Sequence, residues 1–200
     1  MKVLFEQDDA HIAFLTYSAN PQEVEQVISL FEEIAVEQFW QPEDELRAYL
    51  ESSKYFVLTL NGCLAGALQL VTANSDEGFP CLKVWPELDL QGRTDVVDIA
   101  LLALRPKFRG QRKLFWLLCA ETWRYCMYQG ISEMWIEASP TKVEIYRRLG
   151  WPLQIEGPLR AQWEEYCHPC KMSVEAFAES MKARAQKSQS YKRIVEQMYS

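Results

Sequence analysis

The segment with the clearest chemical potential joins an apolar run to a cluster of cations. Val96–Leu104 (VVDIALLAL) is almost continuously apolar, which is typical of a strand buried on both faces. Three cations follow within residues 109–113 (RGQRK), where a helical pattern begins. Unpaired N–H groups at a helix N-terminus, the helix dipole and added cations together bind anions. The sequence therefore predicts an anion site suited to a diphosphate. The alternative is an ordinary basic first turn, which the dipole disfavours.

The apolar strand also contains a carboxylate, Asp98. Burial of an unpaired charge is costly, so this side chain must face solvent, a partner or a cleft. An apolar wall would raise its pKa, and the carboxylate could then accept a proton from an ammonium group, directly or through a water. The sequence leaves two interpretations open: a base in a cleft, and a strand-end carboxylate facing water.

A metal centre is not predicted. Cys167-His168-Pro169-Cys170 resembles half of a zinc site, but the only other histidine, His11, is distant in sequence, and tetrahedral zinc needs more ligands. Cys170 and His168 could form a nucleophilic pair, although no motif supports this. We expect buried thiols in a strand.

Composition limits the class of protein. The 200 residues are 48% hydrophobic and carry a net charge of −7, which predicts a globular domain and argues against nucleic-acid binding. No apolar stretch reaches about 18 residues and no signal peptide is recognised, so we expect a cytoplasmic protein without a membrane span. Residues 171–200 carry six Lys or Arg against three Glu. This tail is either a solvated helix docked on the body or a basic landing site for an acidic carrier protein.

The apolar pattern predicts alternating helices and strands. Lys54–Leu60 and Cys63–Thr72 flank Asn61-Gly62, which predicts a hairpin with a type I′ turn. Residues 73–93 have no period and predict a long connection. The other expected elements are a helix from Asn20-Pro21 to Pro42, a short acidic helix at 43–51, a strand at 96–104, a helix at 110–129 closed by Gly130, a strand at 132–138, a helix at 141–149 closed by Gly150, strands at 151–156 and 166–174, and a C-terminal helix from Glu175 to Tyr199.

This order of elements predicts an α/β (or α+β) fold around one mixed sheet. We expect residues 1–174 to form a single domain. Residues 175–200 are expected to form a helix that packs on this domain or extends from it.

Two segments resemble the signatures of the GNAT acyltransferases. Residues 102–118 (LALRPKFRGQRKLFWLL) resemble the acyl-coenzyme A motif, in which a hydrophobic strand ends in Pro and an aromatic residue and Arg-Gly precede a helix. Residues 139–151 (SPTKVEIYRRLGW) resemble the second signature, with Tyr146, Gly150 and Trp151 at its key positions. The resemblance covers about residues 54–156. It implies a mixed, mostly antiparallel central sheet, flanked by helices, with two splayed parallel strands in the middle.

The resemblance also implies roles for individual residues. The pantetheine arm of an acyl thioester would lie between the splayed strands, and a backbone amide of the first would stabilise the oxyanion formed when a small-molecule amine attacks. Tyr146 would protonate the departing thiolate, its alternative being a tyrosine of the core. Asp98 would be the second catalytic residue. The implied donor-binding residues are Leu102, Ala103, Leu104, Arg109, Gly110, Gln111, Arg112, Lys113 and Leu114. The co-substrate would be acyl-coenzyme A or the pantetheine of an acyl carrier protein, with no permanently bound cofactor.

A narrower resemblance, to autoinducer synthases and N-acyl amino acid synthases, rests on the long connection before the apolar strand. It also rests on Phe39-Trp40 followed by the acidic residues 43–45. Phe39, Trp40 and Ser139 are the implied substrate residues, and Ser139 stands where GNAT enzymes have Asn. Leu101 stands where homoserine-lactone synthases carry an arginine, which argues against S-adenosylmethionine as the acceptor.

Departures from the GNAT pattern support an alternative function. The family usually has glycine where this chain has Arg112 and Leu114, and glycine lets the backbone approach phosphates closely. The alternative is therefore a GNAT-fold binding or regulatory module without catalysis. A third possibility is an enzyme that uses only carrier-protein thioesters, with Lys182, Arg184 and Lys187 as its docking surface.

Overall fold

The structure, a computed structural model, describes residues 2–7, 10–41, 45–73 and 78–199, with the backbone alone for residues 2–7. The helices are α1 (Pro21–Gln38), α2 (Glu45–Ala48), α3 (Pro80–Val84), α4 (Arg112–Tyr128), α5 (Pro140–Leu149), α6 (Val174–Ala185) and α7 (Gln189–Tyr199), and a 3-10 turn spans Pro106–Phe108. The strands are β1 (Lys2–Gln7), β2 (Ala10–Leu15), β3 (Ser53–Leu60), β4 (Cys63–Thr72), β5 (Val96–Leu104), β6 (Glu133–Ala138), β7 (Gln154–Ile155), β8 (Arg160–Gln162) and β9 (Glu165–Ser173).

The strands form one sheet in the order β1-β2-β3-β4-β5-β6-β9-β7, and β8 pairs with β9. The neighbouring strands pair antiparallel except for β5 and β6, which are parallel. This confirms the predicted mixed, mostly antiparallel sheet with two parallel strands in the middle. The predicted hairpin is also present, because Asn61 and Gly62 both have positive φ, 51° and 72°, as a type I′ turn requires.

The two parallel strands diverge soon after they begin. In the described residues, β5 and β6 pair only through Val96–Asp98 and Glu133–Trp135. On the other edge of β5, Leu70 of β4 is opposite Ile99 and Gln69 is opposite Leu101, so Ala100 is an extra residue in a β-bulge. A bulge bends its strand and increases the local twist. The sheet therefore opens between β5 and β6 beyond Asp98.

Helices cover both faces of the sheet. α1 buries one stripe of residues at three- and four-residue steps, Val24, Val27, Ile28, Phe31 and Ile34, against β2, β3 and β5. α4 lies on the opposite face and is apolar almost all round, because α6 and α7 cover its outer side. The indole Nε1 of Trp123 donates to the carbonyl of Val174 at 2.8 Å, which ties α4 to the start of α6.

Several elements differ from the sequence predictions. β1 and β2 were not predicted, because β2 is paired on both edges and buries residues on both faces, which removes the alternation that identifies a half-buried strand. The predicted C-terminal helix is divided into α6 and α7 by the polar residues 186–188. The long connection contains α3, and β8 is an additional strand. The predicted strand at 151–156 is reduced to β7. Residues 43 and 44 of the predicted acidic helix lie outside the described residues, and of its remainder only Glu45–Ala48 is helical, as α2.

Among the residues that the structure describes, none of the helices combines the length and apolar character needed to cross a membrane.

Gly66 sets how closely β4 can approach β5. A Cβ atom at this position would lie 2.6 Å from the carbonyl oxygen of Ala103. We therefore expect Gly66→Ala to lower the free energy of unfolding by about 2 kcal/mol, measured by urea titration, because overpacking forces backbone shifts. Gly62→Ala meets no atom within 4 Å, so it reports only the strain of a positive φ, about 1 kcal/mol. Equal losses in the two variants would contradict the predicted clash.

Candidate active site

A cleft of about 100 Å³ lies where β5 and β6 diverge. The cleft passes through the sheet, because it is lined by residues on both faces of the sheet and by residues of the segments that cover those faces. The lining residues are Trp40, Ile99, Ala100, Leu101, Leu102, Ile136, Glu137, Lys142, Tyr146, Gln162, Trp163, Glu165 and Cys167. The bulge at Ala100 is among them, so irregular backbone of β5 lies against this cleft.

Two carboxyl groups meet at the base of the cleft. Asp98 is fully buried, and its Oδ2 accepts a hydrogen bond from the backbone N–H of Cys81, at the start of α3, at 3.1 Å. Its side chain is also hydrogen-bonded to Glu137 of β6. This excludes the interpretation of Asp98 as a strand-end carboxylate facing water. Glu137, unlike Asp98, contributes to the lining of the cleft.

The carboxyl pair holds protons more tightly than ordinary acids. Burial raises the pKa of Asp98 to about 6, although the hydrogen bonds from Cys81 and Glu137 oppose this. Burial and the neighbouring charge of Asp98 raise the pKa of Glu137 well above its usual value. Two carboxyl groups this close cannot both ionise easily, so they titrate as a pair. Loss of a proton from one of the two carboxyl groups therefore makes loss of a proton from the other harder.

Cys81 completes a group of three possible metal ligands. One ligand atom from each of Cys81, Asp98 and Glu137 lies within 4.8 Å of the others. Burial and the two carboxyl groups raise the pKa of the Cys81 thiol. Because metal ligands must lose their protons, burial of all three groups opposes metal binding. The chemistry that this group supports best is the sharing and accepting of protons.

Tyr146 lines the cleft from the α5 side. Its ring stacks on the indole of Trp151, with the ring centroids 4.6 Å apart and the planes 14° from parallel. Burial raises the pKa of the Tyr146 hydroxyl, and the nearby thiol of Cys119 adds to the effect. The hydroxyl therefore stays protonated at neutral pH and can serve as a proton donor within the cleft.

Glu165 connects three side chains at the mouth of the cleft. Its Oε2 accepts a hydrogen bond from Nζ of Lys142 at 2.7 Å, and its carboxylate is also hydrogen-bonded to Ser139 and Trp40. Burial raises its pKa, but these hydrogen bonds and the charge of Lys142 outweigh burial, and the pKa is lowered. Nζ of Lys142 lies 4.6 Å from the centre of the Trp40 ring. A cation is thus fixed in the lining of the cleft that Glu137 also lines.

Trp163 closes the side of the cleft next to Trp40. The two ring centroids are 6.1 Å apart, and the Trp163 indole Nε1 donates to Oε2 of Glu45 at 2.8 Å. Trp163 and Glu164 form the turn between β8 and β9 with φ values of 49° and 65°. Non-glycine residues rarely occupy this region, and such strain is concentrated at functional sites.

The turn before α4 is closed by internal hydrogen bonds. The backbone N–H groups of Arg109, Arg112 and Leu114 donate to carbonyls within the turn at 2.9–3.1 Å. The guanidinium of Arg109 binds Glu37 of α1, with Nη2 and Oε2 2.8 Å apart, and its Nε donates to the carbonyl of Leu104 at 3.0 Å. A diphosphate at residues 109–114 would compete with these bonds, and its placement there stays a prediction.

The structure brings some of the expected residues together and leaves others apart. Tyr146 and Leu102 line the cleft with Trp40, and Ser139 reaches it through Glu165. Ala103 and Leu104 lie further along β5, outside this lining. Phe39 lies outside it as well: it follows α1 with a positive φ of 59° and is 83% exposed. The predicted roles of all these residues remain predictions.

Sequence reasoning missed the roles of Glu137, Lys142, Trp163 and Glu165 at the cleft. A carboxylate in the apolar run MWIEA gives the same signal that singled out Asp98, so Glu137 could have been found. Glu165 and Trp163 lie in polar sequence, and no local pattern indicates them. Of the Cys-His-Pro-Cys segment, Cys167 lines the cleft, whereas His168 and Cys170 are not part of the lining. Nδ1 of His168 is 3.1 Å from the carbonyl oxygen of Gly157.

The fold is that of known acyltransferases. The structure of FeeM, an N-acyl amino acid synthase from uncultured soil microbes, matches with a TM-score of 0.66 at 14% identity, over 86% of this chain and 94% of that chain. MesI, a CoA-dependent acyl-homoserine lactone synthase, gives 0.64 at 14% identity over 86% and 94%. An IAA acetyltransferase from Bacillus cereus gives 0.52 at 13% identity over 82% and 99%. No curated protein matches the sequence. The divergent parallel strands and the cleft between them thus belong to a fold that this chain shares with these acyltransferases.

The sequence assigns the chain to a family that is narrower than the group of proteins sharing this fold. The sequence profile of the N-acyl amino acid synthase FeeM matches residues 39–181. The chain belongs to the FeeM N-acyl amino acid synthase family, and it is an acyltransferase.

Proposed function

We propose that the protein transfers an acyl group from acyl-coenzyme A to the amino group of an α-amino acid. One observation carries the acceptor assignment: the lining of one cleft contains both Glu137, whose carboxyl group lies beside that of Asp98, and the cation Lys142. An α-amino acid carries an ammonium and a carboxylate, which match these two groups. The name of the family and the CoA-dependent enzymes with the same fold support the donor and acceptor classes.

The carboxyl pair would prepare the nucleophile. Glu137 faces the cleft, and once the pair with Asp98 has lost a proton it attracts an ammonium group and accepts one of its protons. The amine nitrogen then attacks the carbonyl carbon of the thioester. A C–N bond forms, and the carbonyl oxygen becomes an oxyanion.

Residues on the other side of the cleft would act on the acyl thioester. A backbone N–H at the bulge around Ala100 is suited to stabilise the oxyanion, since the bulge lies against the cleft. When the tetrahedral intermediate collapses, the C–S bond breaks and the thiolate takes the proton of the Tyr146 hydroxyl. The nitrogen gives its second proton to the Tyr146 phenolate, which restores the phenol and leaves a neutral amide, and the carboxyl pair returns its proton to the solvent. No metal and no covalent enzyme intermediate are required.

Lys142 would hold the carboxylate of the acceptor. Its present partner, Glu165, is also hydrogen-bonded to Ser139 and Trp40, so Glu165 keeps two partners when Lys142 turns towards a substrate. Binding of an acceptor carboxylate therefore requires Lys142 to exchange Glu165 for the substrate or to contact both.

The test uses the purified protein, acyl-coenzyme A donors of several chain lengths and a panel of amino acids. Thiol release and the mass of the N-acyl product report turnover. A product with at least one amino acid is expected. Absence of transfer to any amino acid would contradict the proposal and favour the binding module.

Lys142→Met tests the acceptor assignment. We expect the KM for the preferred amino acid to rise about tenfold or more, because a charge-assisted contact to a carboxylate contributes about 1.5–3 kcal/mol. The KM for the corresponding decarboxylated amine should not change, and this substrate is the matched control. If both KM values rise equally, Lys142 supports the cleft but does not recognise a carboxylate.

A further inference from the structure

The cleft between β5 and β6 is too small for the two substrates of the proposed reaction. Its volume is about 100 Å³, whereas sites for small molecules and cofactors usually enclose about 300–1,000 Å³. A cavity of about 150 Å³ is filled by a molecule of the size of benzene. An α-amino acid and the carbonyl end of a thioester therefore enter this cleft together only after one of the segments that line it has moved.

The segments around the cleft differ in how firmly they are held. β5 and β6 are central strands of the sheet, and Tyr146 of α5 stacks on the buried indole of Trp151. The segment from residue 154 to residue 166 is different, because each of its residues is exposed or half-buried. It contains β8, which is three residues long, and the turn into β9. Few buried contacts give a segment low local stability, so this is the part of the lining that moves most easily.

This segment is fixed at one end. Nε1 of Trp85, a fully buried residue, donates to the carbonyl of Pro158 at 2.8 Å. Nη1 of Arg160, the first residue of β8, donates to the carbonyl of Val84 at 2.6 Å. Both contacts tie the start of β8 to the end of α3. The turn between β8 and β9 can therefore swing about an anchored base.

The turn between β8 and β9 has an unfavourable sequence for its geometry. Trp163 and Glu164 both have positive φ, 49° and 65°, as do Asn61 and Gly62 in the other hairpin. This geometry favours Asn and Gly, and bulkier residues keep it only where the surrounding structure compensates for the strain. The observed position of the turn thus depends on the contacts of its side chains, and loss of those contacts releases the strain.

The Trp163 side chain makes the contacts that hold the turn in place. Its ring centroid is 6.1 Å from that of Trp40, which lines the cleft, and its Nε1 donates to Oε2 of Glu45 in α2 at 2.8 Å. Both partners of this hydrogen bond are half-buried. One hydrogen bond at such a position contributes little net free energy, so it can break and re-form within a catalytic cycle.

We propose that residues 162–164 form a lid on the cleft, which the hydrogen bond from Trp163 to Glu45 holds closed and which opens to admit the substrates. The proposal takes the cleft as the reaction site, as in the proposed function, and adds the movement that makes room in it. In the closed position the lid separates the reacting groups from water.

Cys167 is a probe of lid opening that needs no substrate. It lines the cleft and is 6% exposed, and burial raises the pKa of its thiol to about 12. The thiolate is the reactive form, so the closed protein reacts slowly at this position. We expect Trp163→Phe and Glu45→Leu, which each remove the hydrogen bond, to raise the rate of Cys167 alkylation by iodoacetamide at least fivefold. Mass spectrometry of the peptides measures this rate.

Other residues of the chain provide the controls. Cys119 and Cys126 are buried in the core on α4, so their alkylation reports global unfolding and should not change in either variant. Glu51→Leu is the matched variant, because Glu51 is an exposed glutamate that takes no part in the contact with Trp163. It should keep the wild-type rate at Cys167. Equal Cys167 rates in Trp163→Phe, Glu45→Leu and wild type, or an equal rise at Cys119, would overturn the lid.

The labelling experiment and the transfer assay can fail independently. Faster alkylation of Cys167 in both variants, without transfer to any amino acid by the wild type, would support the lid and contradict the proposed function. Transfer by the wild type, with a Cys167 rate that neither Trp163→Phe nor Glu45→Leu changes, would overturn the lid and leave the acyltransferase function intact.

Discussion

Replacement of Glu137 by glutamine (Glu137→Gln) is expected to lower kcat/KM for the amine by about 100-fold or more, the usual contribution of a general base. Glutamine fills the same space but cannot accept a proton, and its neighbour Asp98 does not line the cleft. Glu133→Gln is the matched control, because Glu133 is on the same strand and outside the cleft lining. This variant should keep the wild-type rate.

The pH dependence of kcat/KM is expected to reflect the carboxyl pair of Asp98 and Glu137. Burial raises the pKa of Asp98 to about 6, and the pair can accept a proton only after it has lost one. We therefore expect kcat/KM of the wild type to rise with pH through about 6. A rate that does not change across this range would argue that the pair takes no part in proton transfer.

Stability distinguishes a catalytic Glu137 from a structural one. A carboxyl group whose pKa is raised by folding contributes most to stability below its unfolded pKa, about 4.3 for glutamate. That contribution is lost as the pH rises towards the folded pKa, which lies well above the usual value here. Glutamine does not ionise, so Glu137→Gln should unfold at the same or a higher temperature than the wild type at pH 8. An inactive variant that unfolds at a clearly lower temperature would indicate a structural role.

The sequence predicted the strand that contains Asp98 with its observed bounds, because Val96–Leu104 is apolar on both faces. It also indicated that a carboxylate there needs a partner. The partner could not be inferred from any local pattern. Parallel pairing of Asp98 with Trp135 places Glu137 two residues further along β6, where the strands have diverged. That register depends on how the whole sheet assembles.

The turn before α4 is a second case in which the sequence predicts a position but not the contacts made there. Its position between β5 and α4 was predicted, because the apolar run, Pro106 and the basic cluster are contiguous in sequence. The ion pair of Arg109 with Glu37 joins residues 72 positions apart, and no sequence feature near Arg109 predicts this contact. Charge clusters therefore located the turn but not the partners of its side chains.

The C-terminal region was predicted as one helix because its polar residues tolerate a continuous helical pattern. The structure folds it back on itself, and the strongly amphipathic α7 packs on α4 through Tyr191 and Met198. The basic tail was interpreted as either a solvated helix or a docking surface for a carrier protein. A groove next to Arg193 is formed by the packing of α7 on α4, a tertiary contact that no local pattern predicts.

Tyr146→Phe is expected to lower kcat by about 100-fold with a coenzyme A thioester, because the thiolate would leave without a proton. Phenylalanine keeps the stacking on Trp151, so the unfolding temperature should change little. Tyr125→Phe is the matched control: Tyr125 is another half-buried tyrosine whose pKa burial raises, and it packs against Phe14 and Phe56 away from the cleft.

The leaving group separates catalysis by Tyr146 from a packing role. An aryl thioester releases a thiolate of lower pKa, which needs no proton to depart, so the rate of Tyr146→Phe should approach that of the wild type with this donor. Rescue by the better leaving group is specific to a general acid, because a distorted cleft would slow both donors equally. The same loss with both donors would remove the hydroxyl from the mechanism. Tyr146 would then act through its stacking on Trp151, as one of the residues that shape the wall of the cleft.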